Sequence, residues 1–498
     1  MTHLLLFLSS GLFLGWSLGA NHAANVFGPA VETGMVRFRT AAFIASLFVI
    51  LGATISGAGA AHTLGSLGAV NALAGSFTVA LSAALTVFWM TRWKLPVSTS
   101  EAILGAIIGW NFYAGFVTDT HTLSRILLTW VSCPILSALF SMVLYWGIRR
   151  ILLRSNIHIL HLDNITRAGM IIVGAFGAYS LGANNIANVM GVFVSSNPFR
   201  DITLFGNLSF TGVQQLFFLG GLAIAIGIYT YSERVIRTVG KDLLRLSPVA
   251  AFVVVLAHSL VLFIFASEGL ERFLVQHGLP SIPLVPVSSS QAIIGAIVGI
   301  GLIKRGTNIR LRVLSNIAFG WVSTPVMAGI LAFMMLFFVE NVFKQPVYNA
   351  VNLRIDSEVV EELKTIGLYD EGLASLQRKE FENPEMMKRV LVKNTQLTSE
   401  QIAEVTDYCI SGEYEVTTEG LASLRESTAC TQVQLLAIER LLGKKYSHPW
   451  QMIRELEEQT PEWRLRDETV LNREWNRSLK NKRESVFQVF DQSYVKEP

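Results

Sequence analysis

The stretch GANHAANVFGPAV (residues 19–31) sets two amides, Asn21 and Asn25, and one imidazole, His22, inside a run that is otherwise apolar. Amide N–H groups donate to an anion, while amide carbonyls accept a small cation such as Na+. Gly19, Gly28 and Pro29 are residue types that let a helix open. Open backbone at membrane depth is tolerated only where it lines a cavity. The spacing therefore predicts a helix broken at a central site. The pattern recurs in YSLGANNIANVMGVFV (179–194), which supplies Asn184, Asn185 and Asn188. A second pair of motifs adds hydroxyls: PVSTS (96–100) carries Ser98, Thr99 and Ser100, and PVSSS (286–290) carries Ser288, Ser289 and Ser290. Pro96 and Pro286 suit the first turn of a helix, where the missing N–H would be unpaired in any case. A helix N-terminus draws anions through its free N–H groups and its dipole. Two such termini would aim donors at one tetrahedral oxyanion. The competing reading is ordinary N-capping by serine, which explains a single copy better than two copies paired with two amide motifs.

The elements that must hold these motifs also come in two copies. TWVSCPILSALF (129–140) matches GWVSTPVMAGIL (320–331), and the three pairs keep one order, at offsets of 163, 190 and 191 residues. In a membrane protein such a duplication marks a transporter built from repeats. Of 498 residues, 51% are hydrophobic and 15% charged, against about 25% charged in a typical soluble protein. Apolar spans are predicted near 4–31, 40–60, 70–91, 96–113 and 123–148, and near 168–196, 212–230, 248–267, 286–303 and 313–339. The segments 96–113 and 286–303 are short for a crossing of about 20 residues, so spanning and re-entrant geometries both fit them. Arg37 and Arg39, Arg92 and Lys94, and Arg149, Arg150 and Arg154 mark cytoplasmic loops. So do Arg234, Arg237, Lys241 and Arg245, and then Lys304, Arg305, Arg310 and Arg312. If every segment crosses, each half has five spans, the second repeat is inverted, and both the N-terminus and the tail lie outside.

Residues 341–498 are charged and helix-favouring, and form a soluble domain. On the outside, Cys409 and Cys430 could pair; two unpaired core thiols are the equal alternative. The first residues lack the basic stretch of a cleaved signal, and their motif recurs deep in the chain. No dense basic run with interleaved aromatics points to nucleic acid, and no Cys/His cluster has zinc spacing.

GANxxAN with PVSTS, duplicated in two halves, resembles the PiT (PHO-4) family of inorganic phosphate transporters over residues 4–339. The resemblance implies that Asn21, Asn25, Asn184 and Asn188 and both hydroxyl clusters line the path of substrate and ion. It implies phosphate uptake driven by Na+ or H+, with sulfate carried by one branch. The chain departs from the family where aspartate follows the first asparagine of each motif: His22 and Asn185 stand there. Where the family tends to have histidine after the hydroxyl cluster, this chain has Glu101 and Gln291. Loss of both aspartates removes carboxylates for cation coupling and acceptors for the proton that phosphate carries and sulfate lacks. A site made only of donors favours a fully deprotonated dianion and so tilts toward sulfate, because unpaired buried groups are costly, while Ser/Thr hydroxyls and backbone carbonyls can still accept. His22 and Glu101 are the titratable residues of the motif regions and so the candidates for ion coupling, with Glu101 toward the aqueous end. His258 reads as a packed or hydrogen-bonded side chain, and His158 and His161 as part of an interfacial stretch.

The expectation is an all-α polytopic protein of the cell (inner) membrane. It has two inverted repeats of about five segments with broken helices (1–150 and 151–340) and a mostly helical regulatory domain (341–498). It would carry a small oxyanion, phosphate or sulfate, by alternating access coupled to Na+ or H+. No cofactor is implied; Na+ would sit at Asn21, Asn25, Asn184 and Asn188. Homo-oligomers and an unidentified partner for the tail are compatible with the chain. The rival of another class is an anion sensor that signals through the tail; a channel or an enzyme fits less well.

Overall fold

The computed structural model describes residues 2–67, 70–93, 97–116, 118–155, 158–197, 199, 201–204, 208–239, 246–304, 311–349, 351–381, 384–426, 430–467 and 469–492. Lys94, Pro96, Lys241, Arg245, Arg305 and Arg310 lie outside these residues. The chain forms two compact units. The first holds α1 (Thr2–Glu32), α2 (Phe38–Ser56), α3 (Ala58–Leu67), α4 (Leu73–Arg92), α5 (Thr99–Ala114) and α6 (Thr120–Arg154). It continues with α7 (Ile159–Met190), α8 (Gly212–Val239), α9 (Pro248–Ala266), α10 (Glu268–Gln276), α11 (Ser289–Ile303) and α12 (Leu311–Asn341). Among the described residues, eight of these helices (α1, α2, α4, α6, α7, α8, α9 and α12) are long and apolar enough to cross a membrane. This is an integral, multi-pass membrane protein.

The sequence duplication is also a duplication of packing. The repeats place α1, α2, α4, α5 and α6 in correspondence with α7, α8, α9, α11 and α12. α1 packs chiefly on α8, and α7 on α2; α5 lies on α12, and α11 on α6; α4 meets α1, and α9 meets α7. Exchanging the halves turns each pair into another, as a pseudo-two-fold axis requires. With lipid as solvent, helices associate through close backbone approach at small residues. Gly19 lies against the backbone of Ile224 and Gly182 against that of Val49. Gly105 lies against the carbonyl of Pro325, and Gly295 against that of Pro134. Both prolines stand inside long helices, α6 and α12, where the missing N–H frees a carbonyl one turn back.

The break predicted at the asparagine motifs is corrected: α1 and α7 run as continuous helices through Asn21–Asn25 and Asn184–Asn188. The amides do not require open backbone, because Asn21 Nδ2 donates to Ser17 O (3.0 Å) and Asn185 Nδ2 to Leu181 O (3.0 Å), one turn back. The discontinuities fall instead at the hydroxyl motifs. α5 and α11 have 16 and 15 residues, about 24 and 22 Å long. Neither alone covers the roughly 30 Å of hydrocarbon. Before α11 the chain is non-helical and buried from Leu284 to Ser288.

The second unit comprises Gly115–Val117, Arg200–Ser209 and Asn349–Pro498. Two strands, β1 (Ile202–Leu204) and β2 (Leu208–Phe210), pair with each other. The tail runs β3 (Leu353–Arg354), α13 (Ser357–Thr365), α14 (Glu371–Ala374), β4 (Glu380–Phe381), α15 (Pro384–Asn394) and α16 (Ser399–Tyr408). It then repeats the order as β5 (Tyr414–Glu415), α17 (Thr418–Glu426), α18 (Gln432–Glu439), β6 (Lys445–Tyr446), α19 (Pro449–Gln459) and α20 (Arg473–Phe490). β3 pairs with β4 and β5 with β6, both antiparallel. Each half has its own apolar core, one around Leu363 and Met387 and the other around Trp463 and Phe490. Cys409 belongs to the first core and Cys430 to the second, and both thiols are unpaired; the disulfide alternative does not hold.

Candidate functional site

The two hydroxyl motifs straddle the first residues of α5 and α11. Ser288 caps α11 by accepting from the N–H of Gln291 (3.3 Å), and Ser98 accepts from that of Glu101 (3.4 Å). For these two serines the capping reading holds, and their hydroxyls serve their own helices. The neighbouring hydroxyls cross to the other half. Ser100 Oγ donates to Val287 O (3.4 Å) and Ser290 Oγ to Val97 O (2.9 Å), a reciprocal pair. Glu101 and Gln291, equivalent positions of the repeat, join directly through Gln291 Nε2 and Glu101 Oε1 at 2.7 Å. Two helix N-termini thus meet at one point in the protein interior. Glu101 is fully buried there.

The amide motifs dock on this junction. Asn188 Nδ2 donates to Ser100 Oγ (2.8 Å) and to Asn185 Oδ1 (3.2 Å); Asn25 Nδ2 donates to Ser289 Oγ (3.0 Å). Each repeat therefore holds the hydroxyl segment of whichever half its amide reaches. Asn184 grips the backbone of Val287 twice, donating to its carbonyl (2.8 Å) and accepting from its N–H (3.0 Å). Its repeat mate Asn21 turns back on α1 instead. Asn184, Asn185 and Asn188 are fully buried, whereas Asn21 and Asn25 are half-buried. The two sides of the site are not in the same state.

His22 is buried, and its Nδ1 has no hydrogen-bond partner among the described residues. His258 of α9, which sequence reasoning left aside, belongs to the site: its Nε2 lies 2.9 Å from Ser289 Oγ. No motif surrounds His258, so only its position in an apolar span could have flagged it. His158 lies elsewhere, capping the start of α7 at the surface (3.3 Å to Leu160 N). Among the described residues, buried polar atoms at the junction lack a protein partner, Thr99 Oγ1, Glu101 Oε2, Asn188 Oδ1, Gln291 Oε1 and His258 Nδ1, as does His22 Nδ1 on α1. Buried polar groups are ordinarily bonded, so this cluster suits a polar ligand. It offers acceptors as well as donors. Among the described residues no three His, Cys, Asp or Glu side chains stand together as a metal group would need.

Comparison with known proteins gives one consistent answer. The profile of the phosphate transporter family (PHO4) matches residues 18–332 and 281–410. A protein of Methanocaldococcus jannaschii, named as a candidate phosphate permease, is 30% identical over 324 residues, covering 65% of this chain and 93% of its own. A similarly named protein of Pyrococcus abyssi is 25% identical over 409 residues, covering 66% and 96%. Among solved structures, one titled "The sodium-dependent phosphate transporter" is similar with a TM-score of 0.56 and 20% identity, over 68% of this chain and 99% of that one. At that identity the likeness concerns the fold.

Proposed function

This chain belongs to the phosphate transporter family, and we propose that it carries inorganic phosphate across the membrane by cation-coupled alternating access, at the junction of α5 and α11. The observation that carries this reading is the meeting of two half-helix N-termini from opposite repeats, each held by the other's hydroxyl–carbonyl bond. Free N–H groups and aligned dipoles at both termini favour a multivalent oxyanion between them. Phosphate is preferred over sulfate because Glu101 Oε2, Asn188 Oδ1 and Gln291 Oε1 offer acceptors for the hydrogen that phosphate keeps. The unequal engagement of Asn184 and Asn21 supports alternation: releasing the grip on Val287 and forming its mate at Val97 would exchange the two sides.

The test is uptake of labelled phosphate and sulfate by proteoliposomes holding the full chain, with ion gradients imposed separately. The reading predicts phosphate accumulation against its gradient, with weak competition by sulfate. Binding without accumulation would make the chain a sensor instead; accumulation of sulfate with no competition by phosphate would reverse the substrate.

A further inference from the structure

We propose that Trp110 is a positioning residue that ties the anion-holding half-helix α5 to residues 342–348, the strap through which the first unit continues into the tail; this rests on the phosphate reading above. α12 ends at Asn341 and the chain reverses there. The N–H groups of Phe343 and Gln345 return to Phe338 O (3.3 Å) and Val339 O (3.2 Å), and Lys344 takes the left-handed conformation, with φ of 53°. The strap then comes back across the far end of α5. Val347 is fully buried, and its carbonyl accepts from Trp110 Nε1 at 2.9 Å. On the other side of that carbonyl stands Gly75 of α4, where a Cβ would lie 2.2 Å from Val347 O and 3.0 Å from Trp110 Nε1. The carbonyl is therefore wedged in the seam between α4 and α5, and glycine at 75 leaves the room for it. The turn is pinned again beside it: the Tyr113 hydroxyl donates to Glu340, and Asn341 Nδ2 donates to that hydroxyl oxygen at 3.4 Å.

These contacts act on one end of a helix whose other end faces the anion. Trp110 lies 11 residues beyond Thr99, about three turns or 16 Å along α5. α5 is buried over most of that length and meets α12 backbone to backbone, with Gly105 against Pro325 and Gly109 against Gly329. α12, the strap and α5 thus close a clasp. Sliding α5 along α4, the seam in which the carbonyl sits, breaks or re-forms the bond between Trp110 and Val347. The duplicated half-helix does not itself call for this bond: α11 carries Ile300 and Gly301 where α5 carries Trp110 and Asn111, and neither has a side-chain donor. The indole belongs to the first half alone, at the place where the chain departs for the tail. In this structure the two half-helix starts meet and the strap is seated, so an anion held between those starts favours the seated strap. Linkage is reciprocal, and a seated strap in turn favours the anion.

The experiment is amide hydrogen exchange of the full chain in detergent, with and without inorganic phosphate, read on peptides covering residues 342–349. Equilibrium binding of labelled phosphate is measured on the same samples. In wild type, phosphate should slow exchange over the strap about fivefold, the equilibrium equivalent of one hydrogen bond. W110F keeps an aromatic ring and loses the donor, whereas G75A opens the same seat from α4. Each should still bind phosphate, more weakly by a similar factor, while exchange over the strap becomes fast and indifferent to phosphate. The double variant should bind no more weakly than either single one, because both substitutions remove one and the same contact. A strap that ignores phosphate in a wild type that binds it, or a phosphate response retained in either variant, would overturn the proposal while leaving the phosphate reading intact. Absence of phosphate binding by wild type would overturn the phosphate reading itself, and this proposal with it.

Discussion

Replacing Asn188 separates a residue that only braces the junction from one that also faces the anion. Its amide is fully buried and donates to Ser100 at 2.8 Å and Asn185 at 3.2 Å, while Oδ1 has no protein partner. In N188A both donated bonds are lost, at about 1 kcal/mol each, so the loss of stability is roughly 2 kcal/mol before any relaxation. If the amide also faces the anion, affinity falls further by about 1.5–3 kcal/mol, or roughly 10- to 150-fold, as for a hydrogen bond to a charged group. N188D keeps the shape but sets a carboxylate beside the anion. At roughly 5 Å and an effective dielectric of about 20, the repulsion is about 3 kcal/mol per unit of anion charge. The predicted order of phosphate affinity is wild type, N188A, N188D; aspartate also loses both donated bonds and buries a carboxylate against Asn185 Oδ1, so it should cost more thermal stability than alanine. Thermal unfolding in detergent and equilibrium binding of labelled phosphate read the two quantities separately. A folded N188D that binds phosphate within twofold of wild type would refute the placement of the anion.

Gly182→Ala should lower thermal stability by about 1–3 kcal/mol, since its Cβ overlaps the Val49 backbone. Gly147→Ala in α6, where the added methyl meets open space, should be neutral or stabilising by up to about 1 kcal/mol. In the tail, burial works against the Asp356 carboxylate, but the bonds from His448 Nε2 (2.8 Å) and the Val359 N–H (3.0 Å) outweigh it and hold its pKa below the usual range. Its contribution to stability is therefore present above the unfolded value of about 3.9 and lost as pH falls through the lower folded value. Amide exchange over residues 353–363 should rise in that acidic window in wild type and change less in D356N. Burial pushes the Cys409 thiol up to about 12 and raises that of Cys430. Native protein should accordingly react slowly with maleimide at pH 7 and quickly once unfolded; fast native labelling would contradict the two-core tail.

The repeat architecture was legible because the motifs at 19, 96 and 130 recur in order, and each recurrence carries the glycine or proline that the helix crossings use. The burial of Glu101 against Gln291 follows from the pseudo-two-fold, which brings position 101 against position 291 and cannot be seen along one chain. The continuity of α1 and α7 was missed because an asparagine in lipid can satisfy itself on the carbonyl one turn back, so a polar motif is no proof of unwinding. His258 has no motif around it; what makes it part of the site is the start of α11, 31 residues further on, packed against it. The tail's repeat was hidden because its strands are two residues long and set by long-range pairing.

The central claim is that two half-helix starts, one from each repeat, together hold one oxyanion. The measurement that reaches it most directly is the stoichiometry and affinity of labelled phosphate binding to purified full chain, compared with T99V and with S289A. The account predicts one phosphate per chain, weakened by a change on either half. Two independent sites per chain, or a single site indifferent to one of the two substitutions, would contradict it.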